Sequence, residues 1–372
     1  MKRFLRVLAA VLAVAILLSG CTLSPMAPAS KNGDVAKRPN IIENYDLKVF
    51  LLEQDTQAQE NLFALYYAIA NFEKTCYLPY PTTQTQVQDL LSLLCNSCPE
   101  LFQVDLTQPT TYRSYEGETD VIALDFPYCM DKATYDTLLS QAKAALSRFE
   151  TAGMTVLEAE KYIYDILCRE ITYSTSTEHC GNIYGALVEG KAKCDGISKA
   201  MAWVMESAGF ACMCVDGLPY VGDVGHAWNI VPIDGHYYHL DLTADVQSDV
   251  PHDPLYPAYN ISSTLMLSGY APSAYFNIKP EYSMEASYHA QKGNFFDMGQ
   301  NWETAVKKLF VSAYKEKGSF TVQFATETDF ERCNASLEEL FQEAAQDAGI
   351  YRWAWTTTYI RQYHLLSVQI ET

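Results

Sequence analysis

Positive charge is scarce in this chain: 26 lysines and arginines stand against 45 aspartates and glutamates, a formal charge of −19 over 372 residues. Such an excess repels polyanions, so nucleic acid and anionic lipid are not expected as partners. The chain also lacks a Gly-x-x-x-x-Gly-Lys-Ser/Thr phosphate loop, internal repeats and, beyond residue 20, any apolar run fit to cross a bilayer. Metal-ligand spacing is missing as well. Cys212-Met-Cys214 and His236-Tyr-Tyr-His239 could be drawn as zinc ligands, but His236 and His239 on one strand point to opposite faces. Asp245, Asp249 and Asp253 are spaced by four, without the alternating acids and central glycine of a calcium loop, and read as solvated loop acids. No metal and no cofactor is expected.

What the chain does have begins at its start, MKRFLRVLAAVLAVAILLSGC. Lys2, Arg3 and Arg6 precede a short apolar run that ends in Leu18-Ser19-Gly20-Cys21. A basic start, an apolar core and small residues before the cut read as a secretion signal. The order Leu-Ser-Gly-Cys resembles the bacterial lipoprotein signal, which implies that residues 1–20 are removed and Cys21 carries lipid. An uncleaved anchor is the alternative, for a run barely long enough to span. Losing residues 1–20 removes three cations and no acids, taking the charge from −19 to −22. Residues 21–43, rich in Pro, Ala, Ser, Lys and Asn, read as a tether. The remainder is expected to be soluble and held to the cell membrane on its extracytoplasmic side.

Eleven cysteines are many for an exported protein. Setting aside Cys21 and Cys194 leaves nine, an odd number, so complete pairing within the chain is impossible. Cys95-Asn-Ser-Cys98 has redox-motif spacing, but it closes a helical pattern and precedes Pro99. A buried pair or a local disulfide is expected there.

Periodicity predicts an α+β protein. In the N-terminal region, 44–153, helices are expected over 61–72 and 87–94, a strand over 101–104, a hairpin through Glu116-Gly117, and a helix capped by Asp131. A central region, 154–255, opens with the capping box Thr155-Val-Leu-Glu158. It continues to strands over 210–215, 226–233 and 236–242. The C-terminal α/β region, 256–372, is expected to be irregular to about residue 300. Helix, strand, helix and strand should follow over 302–314, 320–324, 337–345 and 365–370.

Within the central region, Gly190 to Met201 reads GKAKCDGISKAM. Ile197, Ala200, Met201, Val204, Met205 and Ala208 recur at helical spacing and Gly209 stops them, so Cys194 sits at the helix start. Unpaired backbone N–H groups and the helix dipole there favour a negative charge, which suits a thiolate nucleophile. A buried structural cysteine is the plainer reading, and the partners decide between them.

Asp234-Gly235 is a strong hairpin signal. A two-residue turn pairs residues whose numbers sum to 469, setting His226 opposite Thr243 and Trp228 opposite Asp241. His226, Trp228, Asp241 and Thr243 then share one face, with His226 and Asp241 diagonal neighbours at roughly 7–8 Å. The other face carries Val231, Ile233, Leu240 and Leu242, suited to packing on helices. A thiol, an imidazole within reach and a carboxylate that fixes the imidazole make a nucleophile–base–orienter set.

GALVEGKAKCDGISKAMAWVMESAGFACMCVDG followed by GHAWNIVPIDGHYYHLDLTAD resembles the bacterial transglutaminase-like superfamily of cysteine enzymes, over about residues 155–245. The motif is Gly-x-x-x-Cys-x-Gly, a helix, Gly-His-Ala-Trp-Asn, then Leu-Asp-x-Thr. The resemblance implies a papain-like core, a nucleophile helix packed on an antiparallel sheet. It also implies Cys194 as nucleophile, His226 as general base and acid, and Asp241 as orienting carboxylate. Ile197 stands where an aromatic is frequent and Ala244 where Trp often follows. For the oxyanion, the backbone N–H of Cys194 is a candidate donor, with Asn182 and Tyr184 as weaker ones. The expected activity is attack on a glutamine side chain or peptide amide through a thioester, with hydrolysis favoured over cross-linking because no wall near the triad shields the thioester from water. The substrates would be proteins, peptides or cell-envelope material. The alternative is a non-catalytic lipoprotein that binds peptide or cell wall with the same fold.

Overall fold

The computed structural model describes residues 42–246 and 254–371. The signal segment, Cys21, nearly all of the tether, Asp249 and Asp253 lie outside the described residues.

The N-terminal region supplies α1 (Thr56–Ala70), β1 (Thr75–Thr82), α2 (Gln84–Ser97), β2 (Thr111–Ser114), β3 (Val121–Asp125) and α3 (Lys132–Ala145). Its helices start where hydroxyl and carboxylate side chains take up free amides: Asp55, the Thr83–Gln86 box and Asp131. Residues 101–104 are not a strand. They form turns, with Val104 making a single bridge to Tyr128. β1, absent from the sequence expectation, contains Pro79 and Pro81 and lies at the edge of the sheet β1-β3-β2, where a missing N–H is tolerated.

Next come α4 (Val156–Glu170), the short parallel pair β4 (Thr172–Tyr173) and β5 (Lys191–Ala192), and α5 (Cys194–Ser207). The capping box of Thr155 and Glu158 forms as expected. Strands β6 (Met213–Pro219), β7 (His226–Ile233), β8 (His236–Leu240) and β9 (Tyr270–Pro272) make an antiparallel sheet in the order β8-β7-β6-β9. β6 begins three residues later than expected, and the β8 ladder stops at Leu240, before Asp241.

This sheet is buried on both faces. Cys212, Cys214, Val231, Ile233, Leu240 and Leu242 pack with α4 and α5 residues such as Ile163, Leu167, Ile197 and Met201. Met213, Val215, Trp228 and Ile230 pack against the N-terminal helices through Leu65, Ile69, Leu90 and Leu94. Two anchors lie near these layers. Asn229 Nδ2 donates to the Ser198 carbonyl at 2.8 Å, tying β7 to α5, and Lys48 Nζ meets Glu206 Oε2 at 2.8 Å, both side chains buried. A buried ion pair with good geometry does more to fix an arrangement than to add net stability.

The C-terminal region holds β10 (Phe295–Phe296), α6 (Trp302–Glu316), β11 (Ser319–Phe324), α7 (Glu327–Ala348), β12 (Ala354–Ile360) and β13 (Leu365–Glu371). Their sheet runs β10-β11-β13-β12 and forms its own core with Val306, Phe310, Phe330 and Phe341. α7 extends well beyond the expected 337–345 because Thr326 caps it three turns earlier, through a stretch with few apolar residues. β12, also unforeseen, is an edge strand with no buried residue.

Asp245 corrects an expectation. It is a buried carboxylate, taking the Tyr164 hydroxyl at 2.7 Å and the backbone N–H groups of Leu255 and Tyr256 at 2.8 and 2.9 Å. The ten described cysteines are all free, Cys95 and Cys98 included, so neither a local disulfide nor any other forms among the described residues. His236 and His239 face different partners, Glu281 and Ser263.

Candidate active site

Cys194 is the first residue of α5, after Lys193 at the cap. The start of this helix is pressed against the 180–182 loop: the Lys193 N–H donates to the Cys180 carbonyl at 2.9 Å. Gly196 permits that approach, since a Cβ there would lie 2.4 Å from the same carbonyl oxygen. The Cys-x-Gly spacing therefore has a steric cause. Cys194 is 8% exposed, and its sulfur lies 3.8 Å from Asp195 Oδ1.

The hairpin register is the one read from the sequence. Asn229 pairs with Leu240 and Ile233 with His236, each pair summing to 469. Asp234 and Gly235 both take positive φ, 52° and 85°, as a type I′ turn demands. His226 opens β7, and Asp241 follows the last residue of β8 on the same face. His226 Nε2 meets Asp241 Oδ2 at 2.8 Å. Cys194 also acts on this imidazole, whose Nδ1 is left free of Asp241. Burial would lower the His226 pKa, but the Asp241 charge and hydrogen bond, helped by Cys194, raise it to about 11. Burial likewise opposes ionisation of Asp241. His226 and the hydrogen bonds from Tyr363 and the Thr243 N–H overcome it and hold the carboxyl below its usual range.

Aromatic residues fix the imidazole. Tyr270 stacks on His226 with ring centroids 4.7 Å apart, and Trp228 lies on the same sheet face at 6.1 Å. Gly217, opposite His226 in the ladder, lets β9 come close enough for this: a Cβ there would stand 2.3 Å from the Ala271 carbonyl oxygen. Trp228 Nε1 donates to His239 Nδ1 at 3.0 Å, and His239 Nε2 lies 2.9 Å from Ser263 Oγ. Burial drives the His239 pKa down to about 4, so it stays neutral and able to accept.

Asn182 and Tyr184 occupy different settings. Asn182 Oδ1 takes the N–H groups of Tyr184 and Gly185 at 3.0 and 3.2 Å, opening the π-helical turn Gly185–Glu189, and the residue lines the cleft beside α5. The Tyr184 hydroxyl instead donates to Gln141 Oε1 at 3.1 Å. The cleft itself is a cavity of about 610 Å³ between the N-terminal region and α5. Asp105, Glu178, Lys193, Asp195, Lys199 and Asp216 line it. Cys194, His226 and Asp241 are not among its lining residues, so the cavity adjoins the start of α5 rather than enclosing the three groups. Tyr270 and Tyr363 escaped notice because neither belongs to the motif segments.

Residues 143–242 match the family model of the transglutaminase-like superfamily. Two solved structures resemble the chain. One is a proposed cysteine protease from Cytophaga hutchinsonii, at 13% identity and a TM-score of 0.24 over 36% of this chain and 61% of that one. The other is described as a TGase, at 13% identity and a TM-score of 0.29 over 52% of each chain. The chain thus spans less than two thirds of either structure's length. No curated protein matches it.

Proposed function

Because residues 143–242 form a transglutaminase-like domain, we propose that the protein is a thiol enzyme of amide acyl transfer, with Cys194 as nucleophile. The observation that carries this is the 2.8 Å bond between His226 and the Asp241 carboxylate, with Cys194 near enough to raise the pKa of the same imidazole. With His226 held as the imidazolium, the Cys194 sulfur attacks an amide carbonyl carbon as the thiolate, and His226 gives its proton to the departing amine, leaving a thioester on Cys194 and a neutral imidazole. Asp241 keeps the imidazole turned toward the sulfur and stabilises its cationic form. The Cys194 backbone N–H at the helix start is the donor best placed in sequence for the oxyanion, and Asn182 is the side chain nearest that role.

Water is the proposed acyl acceptor. Asp105, Glu178, Lys193, Asp195, Lys199 and Asp216 put charge into the cavity beside the start of α5, among apolar residues such as Leu101 and Phe102, and such charges hold water near the site. Selective transfer to an amine needs water excluded. A water molecule activated by His226 then cleaves the thioester and releases the acid. We further propose that the chain is tethered by lipid on Cys21 and acts on proteins, peptides or cell-envelope material outside the cytoplasm. To test the chemistry, the protein is incubated with a glutamine-bearing peptide and a labelled amine, and both products are followed by mass spectrometry. The hydrolysed acid should dominate at millimolar amine and vanish in Cys194→Ala. An amine adduct that dominates and vanishes in the same variant would make the protein a cross-linking enzyme instead.

A further inference from the structure

The carboxylate beside His226 is also held from outside the matched domain. Tyr363 lies 122 residues beyond Asp241, on the single turn Arg361–Tyr363 that joins β12 to β13. Its hydroxyl donates to Asp241 Oδ2 at 2.6 Å. That is the oxygen bonded to His226 Nε2, whereas Oδ1 takes the Thr243 N–H at 3.0 Å. The Tyr363 ring is buried in the core that carries Trp228 and Met266. Its carbonyl is fastened by Gln323 Nε2 at 3.0 Å, and the same amide nitrogen reaches the Pro257 carbonyl at 2.7 Å. Main chain and ring are thus both fixed, and of the two acceptors the hydroxyl reaches, Asp241 Oδ2 at 2.6 Å is far closer than the Met266 sulfur at 3.9 Å.

We propose that Tyr363 is a positioning residue of this site, setting how strongly Asp241 grips His226 and making the C-terminal region part of the working centre. The inference rests on reading Cys194, His226 and Asp241 as the reacting set. An oxygen that accepts two hydrogen bonds divides its charge between them. Removing the tyrosine hydroxyl leaves the carboxylate oxygen to the imidazole alone. The imidazolium is then better stabilised and gives up its proton less readily, which weakens it as the acid that protonates the departing amine.

The other groups around the pair stay in place when only this hydroxyl is removed. Cys194 and Tyr270 face His226, while Tyr164, backed by Asp245, faces Asp241. A change in the His226 titration between the wild-type chain and Tyr363→Phe therefore reports the bond from Tyr363 to Asp241, since the hydroxyl's other acceptor, the Met266 sulfur at 3.9 Å, is uncharged.

The test is an NMR titration of the His226 ring in the full chain labelled with 15N-histidine, the resonance being assigned with His226→Ala. The pH dependence of Cys194 alkylation by iodoacetamide is measured in parallel. In Tyr363→Phe the ring midpoint should rise by about one pH unit, the share of a charge-assisted hydrogen bond passed to the imidazole. The upper step of the alkylation profile should move the same way. Placing 3-fluorotyrosine, a stronger donor, at position 363 should shift both downward, and it keeps the hydroxyl should the phenylalanine variant fail to fold. Unchanged midpoints in either folded variant would overturn the role of Tyr363. Failure of the functional reading looks different: Cys194 alkylation would ignore His226→Ala while the ring midpoint still followed position 363.

Discussion

Glu160 allows a stability effect to be worked out in advance. It sits on α4, fully buried, with Oε2 accepting from Asn260 Nδ2 at 2.7 Å and from the Tyr259 hydroxyl at 3.2 Å. Burial raises its carboxyl to about 8, and these two hydrogen bonds offset only part of that. In the unfolded chain the group has an ordinary glutamate pKa of about 4.3. Between those values the native state holds a proton that the unfolded state has released, so the sign is fixed. The contribution is fully present below about pH 4 and is lost as pH rises through about 8. Within that window the slope is about 1.4 kcal/mol per pH unit, and over its width the loss is about 5 kcal/mol. Glu160→Gln keeps the shape, an acceptor and neutrality while removing the titration. Urea unfolding of both proteins from pH 5 to 8.5, followed by tryptophan fluorescence, isolates the group as a difference. The wild-type chain should lose stability relative to the variant across that range, with the gap growing by several kcal/mol. Parallel pH profiles would show that Glu160 titrates normally in the folded protein and would refute the reasoning.

A limiting dose of iodoacetamide near neutral pH should label Cys194 ahead of the other cysteines, and His226→Ala should slow that labelling, as read by peptide mass mapping. Burial holds several competing thiols protonated, raising Cys95 to about 11 and Cys76 and Cys333 to about 12. Lys48→Met should cost about 3–5 kcal/mol at pH 8.5 in urea unfolding, because Glu206 is left as a buried charge without its ammonium. The cost should shrink at pH 5.5, where the orphaned carboxyl can take up a proton. Membrane-extracted protein should begin at Cys21 with a diacylglyceryl addition in intact-mass measurement, and Cys21→Ser should release the chain from membranes.

The arrangement of His226 and Asp241 was legible because it depends on short-range rules. Asp-Gly accepts two positive φ angles, the side-chain period of a strand is two, and together they decide which residues face each other. Cys194 at a helix start followed in the same way from apolar spacing and Gly209. Local rules fail where burial is decided by distant partners. Asp245 looks like a loop acid until Tyr164, 81 residues earlier, is brought against it. β12 carries no buried face for a pattern to reveal, and its strand form comes from pairing with β13. Tyr363 is one aromatic among 47 until the chain returns it to Asp241 across 122 residues. The proposed trio is thus written in the hairpin and the helix start, where backbone geometry is local. What holds it and walls it, Tyr270 over the imidazole, Tyr363 on the carboxylate and the N-terminal region beside the thiol, exists only once packing brings distant segments together, because close packing selects neighbours by shape and burial rather than by sequence period.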